Sequence, residues 1–298
     1  MKRKSVLALI LLLVLTTALA RADDGIMFRR NVSHTPDQET DGASLSHMTF
    51  YVPAQSSDGT VLTEGIQYLA ADGTTAMDPR LYAKPLVAVY LDDLPHDELL
   101  RSGGAADGAH DAYAAVSLDD GGSWKRTNLS LSADLSSFML QDGHPFPGDV
   151  HGISFAIAGD KVLVGWISKY CDGGSPAYTW VDEEDNALYP DIWGVAGSQG
   201  SVDYTLQGFP EVGEIPYSCV WSARGTLLED PETGLYDIVW TKAERLTSGR
   251  RDANRLEING DSSTGFMMVW QEDPEGLRPG LGLGPGEGWS GAVVNQQT

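Results

Sequence analysis

The chain has 298 residues and a formal charge of −22, with 42 Asp and Glu against 20 Lys and Arg. So acidic a surface repels nucleic acid and anionic membrane, which sets both aside as partners. Hydrophobic residues make up 42% of the chain and eight are Trp, enough for a sizeable core, so a disordered chain is set aside too.

Residues 1–22 read as a secretory signal peptide. Lys2, Arg3 and Lys4 precede an apolar run from Val6 to Leu15, and Ala20-Arg21-Ala22 supplies the small-x-small cleavage signal. The run is too short and wrongly flanked for a spanning helix, so no transmembrane segment is expected in the mature chain. Such a leader implies export to the periplasm, cell surface or exterior. Removing Lys2, Arg3, Lys4 and Arg21 leaves 16 basic against 42 acidic side chains, or −26 for residues 23–298, which read as one domain.

Strand signals dominate the mature chain. Residues 48–52, 86–90, 112–116, 153–157 and 161–166 are short β-branched, aromatic or alternating runs, and Gly159-Asp160 makes a hairpin turn between the last two. The 34 Gly and 15 Pro punctuate the chain densely, as in all-β folds with many turns. Residues 117–124 fit the pattern Ser-x-Asp-x-Gly-x-x-Trp. Asp119 accepts backbone N–H groups inside a tight turn, Ser117 adds a hydroxyl, Gly121 permits positive φ, and Trp124 tucks its ring under the loop. Cys171 and Cys219 are the chain's two cysteines, and in an oxidising compartment they are candidates for a disulfide; two free thiols is the alternative.

Trp166, Trp221, Trp240 and Trp270 recur in apolar-Trp-polar strand ends, with Trp166, Trp221 and Trp270 near the period of a propeller blade. Residues 273–288 are rich in Pro and Gly, and a strand-like Ala292-Val293-Val294 comes next. No obvious closing strand partners the N-terminus, so the chain reads as the N-terminal part of a longer protein.

Four groups of residues could carry chemistry. Arg250-Arg251-Asp252 sets two guanidiniums, suited to carboxylate or phosphate, in a very acidic chain, with ion pairing to neighbouring acids as the alternative. Glu272 and Asp273 come just after a strand and could meet that string, to bind hydroxyls or a bridging cation. Asp149 and His151, two apart on a strand, share a face and could hold a divalent metal or shuttle a proton; His144 is nearby. Acidic runs at Asp182-Glu183-Glu184-Asp185 and around Glu272 offer oxygen ligands for Ca²⁺, or are simply solvated.

The 117–124 hairpin resembles the Asp-box of sialidase-like β-propellers, a structural bend away from the central pocket, so the resemblance implies an all-β propeller of four-stranded antiparallel blades. Longer strings resemble the bacterial choice-of-anchor O family of exported Asp-box proteins. They include Phe28-Arg29-Arg30-Asn31-Val32-Ser33, Pro147-Gly148-Asp149-Val150-His151, Ile215-Pro216-Tyr217-Ser218-Cys219-Val220-Trp221 and Glu244-Arg245-Leu246-Thr247-Ser248-Gly249-Arg250-Arg251-Asp252-Ala253. That resemblance implies a longer parent with a C-terminal surface-sorting segment and no established reaction. A binding or scaffold module for a glycan or other surface polymer is the reading that results. Its rivals are a sialidase-like glycoside hydrolase and a purely structural envelope protein. Against hydrolysis, Phe28-Arg29-Arg30-Asn31 departs from the sialidase Phe-Arg-Ile-Pro segment, which puts Arg29 in doubt as a substrate clamp.

Overall fold

A computed structural model describes residues 32–34, 40–93, 110–132, 136–143, 145–171, 199–208, 210 and 213–273. The signal-peptide segment, Arg29, His144, the acidic run 182–185 and the stretch from residue 274 onward lie outside the described residues.

The described chain is all-β apart from one short 3-10 turn at Tyr204–Gln207. In order it forms β1 (Thr40–His47), β2 (Val52–Pro53), β3 (Tyr82–Ala83), β4 (Leu86–Asp93), β5 (His110–Ser117) and β6 (Lys125–Asn128). Next come β7 (Ser136–Met139), β8 (Pro145–Pro147), β9 (Val150–Ala158), β10 (Lys161–Ser168), β11 (Ser201–Asp203) and β12 (Glu214–Pro216). The last five are β13 (Cys219–Glu229), β14 (Tyr236–Trp240), β15 (Glu244–Arg245), β16 (Asp252–Asp261) and β17 (Gly265–Asp273).

Two antiparallel meanders organise these strands. The first sheet runs β1-β4-β5-β6, and the second runs β9-β10-β13-β14, with β15 also on β13. Each advances strand by strand in sequence order, the order of a propeller blade. The β16–β17 hairpin lies against β9 and β10, in the position of a third blade's first two strands. No sheet among the described residues closes on itself.

The core arises from alternation. Val87, Val89 and Leu91 of β4 and Ala112 and Ala114 of β5 point to one face, and meet Val162, Val164 and Trp166 of β10 and Trp221 of β13. The intervening Ala88, Tyr90 and Ala115 are buried on the opposite face with Val32 and Trp124 packed on them, so β4 and β5 are covered on both faces. Each fully buried aliphatic side chain contributes roughly 1.5–3 kcal/mol. Gly165 lets the hairpin approach the second sheet: a Cβ there would lie 2.8 Å from Met268 and 2.9 Å from Ile258 and Leu256.

Two sequence expectations need correcting. Residues 48–51 are not a strand: β1 ends at His47, the buried Met48 still gives its N–H to Pro85 O, and strand pairing resumes at Val52. The Trp spacing is not a blade period. Trp166 and Trp221 face each other across β10 and β13 of one sheet. First strands of successive units instead begin at Thr40, Val150 and Asp252, so the repeat is about twice as long.

Candidate functional site

At one end of the two sheets the strands finish in polar residues. This end gathers the starts of β1, β5, β9, β13 and β16 and the finishes of β4, β10 and β17. The 117–124 turn is at the other end, between β5 and β6. There Ser117 Oγ donates to Asp119 Oδ1 at 2.7 Å, and Asp119 also accepts from Ser123 N at 2.8 Å and Ser123 Oγ at 2.7 Å. Gly121 has φ +85° and gives its N–H to Ser117 Oγ at 2.8 Å. Trp124 is half-buried against Ala88, Tyr90 and Ala115. Ser117, Asp119, Gly121 and Ser123 thus close the turn with their own hydrogen bonds, far along the strands from the polar end.

Within the polar end, two buried carboxylates each accept from several side chains. Asp111 accepts from Asn128 Nδ2 at 2.7 Å, Ser132 N at 2.8 Å and the Ser130 hydroxyl. Asp92, wholly buried, accepts from Thr40 Oγ1 at 2.8 Å and Arg126 Nη2 at 3.0 Å. Arg126 also sits 5.0 Å from the Tyr113 ring, which stacks on Tyr90. Burial, with the Asp111 charge beside it, pushes the Tyr113 phenol up to about 12. These groups hold β1, β4, β5 and β6 together.

A second group is differently made. Asp149, just before β9, accepts from His110 N at 3.0 Å and lies 3.3 Å from His110 Nδ1. The N–H of Lys169 donates to Asp149 O at 2.7 Å, which fixes the end of β10 beside it. The Lys169 ammonium, 3% exposed, makes its one hydrogen bond among the described residues to Pro216 O at 2.9 Å. Asp252, at the start of β16, accepts from Ser218 N at 2.7 Å. His151 stands among them, and both its ring nitrogens are shielded from solvent with no hydrogen-bond partner. Burial and then the Lys169 charge push its pKa down to about 4, against an opposing pull from Asp149 and Asp252. Burial likewise lowers Lys169.

Asp149, His151 and Asp252, singled out in the sequence, are thus brought together. His110 and Lys169 join them. Neither carried a motif: His110 starts a strand on the neighbouring sheet, and Lys169 is one residue past a strand end. The other sequence candidates stand apart. Arg250 and Arg251 are exposed, and Arg251 Nε pairs with Glu272 Oε2 at 3.5 Å, with side chains 50% and 27% exposed. The strings meet inside one hairpin, where Asp252 faces Asp273 and Ala253 faces Glu272, and not across neighbouring blades. Glu272 also accepts from Trp270 Nε1 at 2.9 Å. No group of three or more His, Cys, Asp and Glu among the described residues is placed to hold a metal ion.

Cys171 and Cys219 are bridged, with Cα atoms 5.5 Å apart, joining the chain just past β10 to the start of β13 beside Lys169. Arg245 donates to Cys171 O behind the bridge. No helix among the described residues is long and apolar enough to cross a membrane.

No family profile matches the chain, and no curated protein matches it. Among solved structures, Trypanosoma rangeli sialidase in complex with the inhibitor DANA aligns with 14% identity and a TM-score of 0.33, covering 80% of this chain and 33% of that one. Trypanosoma rangeli sialidase in complex with sialic acid aligns with 12% identity and a TM-score of 0.30, covering 80% and 35%. The chain spans about a third of the length of these structures. Likenesses of this size establish neither a shared site nor a shared chemistry.

Proposed function

We propose that this protein is an exported, surface-destined β-propeller of the choice-of-anchor O kind, acting as a binding module for a glycan or other surface polymer. One observation supports the reading above all. His110, Asp149, His151, Lys169 and Asp252 come from both sheets and the hairpin to one end of the molecule, and the hydrogen-bonding capacity of His151 and Lys169 is left partly unused. A purely structural brace saturates its members, as Asp111 is saturated on the neighbouring strand. An incompletely paired polar cluster that opens to solvent at Asp149, 30% exposed, is built to receive something.

Asp149 and Asp252 give the cluster two carboxylates, the groups that glycoside hydrolysis uses, but no arginine stands among its members to clamp a sialic acid carboxylate. His151 is buried neutral, and three of the described arginines are spent elsewhere: Arg126 on Asp92, Arg224 on Glu244, Arg251 on Glu272. The test is an array of glycans and envelope polysaccharides probed with the exported protein, beside a fluorogenic sialoside assay. Saturable binding weakened by Asp149→Ala, with the sialoside left intact, is the expected result. Turnover abolished by Asp149→Asn would replace binding with hydrolysis, and an array that captures nothing would sink the reading.

A further inference from the structure

The cluster's donors and acceptors narrow what it can receive. Neutral imidazole offers one N–H donor and one acceptor nitrogen, and His151 uses neither. The Lys169 ammonium has three donors and spends one, on Pro216 O. Asp149 presents a carboxylate that is partly open to water. A guest must therefore accept from Lys169, and both donate to and accept from His151. A buried donor or acceptor left unmet costs about 1–3 kcal/mol, so the match decides the guest.

Charge narrows it further. Lys169 stands against Asp149 and Asp252, and the whole chain carries −22. A carboxylate or phosphate would meet two carboxylates and an acidic surface, while a metal ion would meet an ammonium. A hydroxyl is uncharged and is donor and acceptor at once. Two on neighbouring carbons satisfy His151 and Lys169 together.

We infer that the group formed by Asp149, His151, Lys169 and Asp252 binds the hydroxyl edge of a neutral sugar unit, and discriminates against acidic sugars. This rests on the proposed binding function and goes further by naming the ligand class.

The experiment compares the wild-type protein with His151→Phe and His151→Gln on an array of neutral and sialylated oligosaccharides, then records ¹⁵N imidazole NMR of the wild type with the best-bound glycan. Neutral glycans should bind. Binding should fall about tenfold or more in His151→Phe, which fills the space without hydrogen bonds, and recover largely in His151→Gln, which restores a donor and an acceptor. The His151 ring nitrogens should shift on ligand addition, a readout that needs no variant to fold. Binding confined to sialylated glycans overturns the inference. So does neutral-glycan binding with His151→Phe at wild-type affinity, or with unmoved His151 resonances, and both leave the binding reading standing. Capture of no glycan at all removes both.

Discussion

At the scale of single residues, the same side-chain type serves opposite ends by being saturated or not. Asp119 spends both oxygens inside its own turn, on Ser117 and Ser123. Asp119→Ala should therefore destabilise the protein by about 1–3 kcal/mol, read from denaturant midpoints, while glycan binding is unchanged. Parallel loss of binding would show the turn to be coupled to the polar end. Asp119 was legible in the sequence because its partners lie within four residues of it. Asp149, His151 and Asp252 were legible only as residue types suited to chemistry, since spacing placed two of them and nothing placed the third. Lys169 was not legible at all: its role comes from being buried beside β9 and Pro216, which lies 47 residues away. The pairing of Arg251 with Glu272 was within reach, but its setting in one hairpin needed the register of β16 on β17.

Among elements, the cross-link between β10 and β13 dominates the polar end. It closes a loop of 48 residues, which by loop-closure entropy stabilises the fold by about 4 kcal/mol. Reduction, or Cys171→Ser with Cys219→Ser, should lower the denaturant midpoint accordingly. Intact mass of unreduced protein should show no alkylatable thiol, and two alkylated cysteines would contradict the bridge. Strands were legible where periodicity was clean: β4, β5, β9 and β10 all contain the runs expected of them. Strand β1 was not, since Thr40–His47 is exposed along its whole length and so has no alternation to read. Its pairing with β4 comes from tertiary context. The Trp recurrence misled for a related reason. Neighbouring strands of one sheet both want a bulky aromatic at the same depth, which mimics a repeat in sequence.

For the molecule as a whole, acid is the informative perturbation. His151 titrates near 4 in the folded protein against about 6.5 in a free chain, so the unfolded state binds the extra proton. Its contribution is complete above pH 6.5 and is lost as pH falls towards 4, amounting to about 3 kcal/mol at most. Lys169, Asp149, Asp252 and His110 face it throughout. Thermal midpoints should drop across that window in the wild type, and drop less in His151→Gln. Equal profiles would place the acid sensitivity elsewhere. The two meanders also set an order of events. Every pairing of the first sheet lies within residues 40–128, so a chain emerging N-terminus first holds all of that sheet before the second sheet exists. Gln55, by contrast, clasps both the N–H and the carbonyl of Tyr236, 181 residues later. Its side-chain amide waits, polar and unanswered, until those 181 residues have been added.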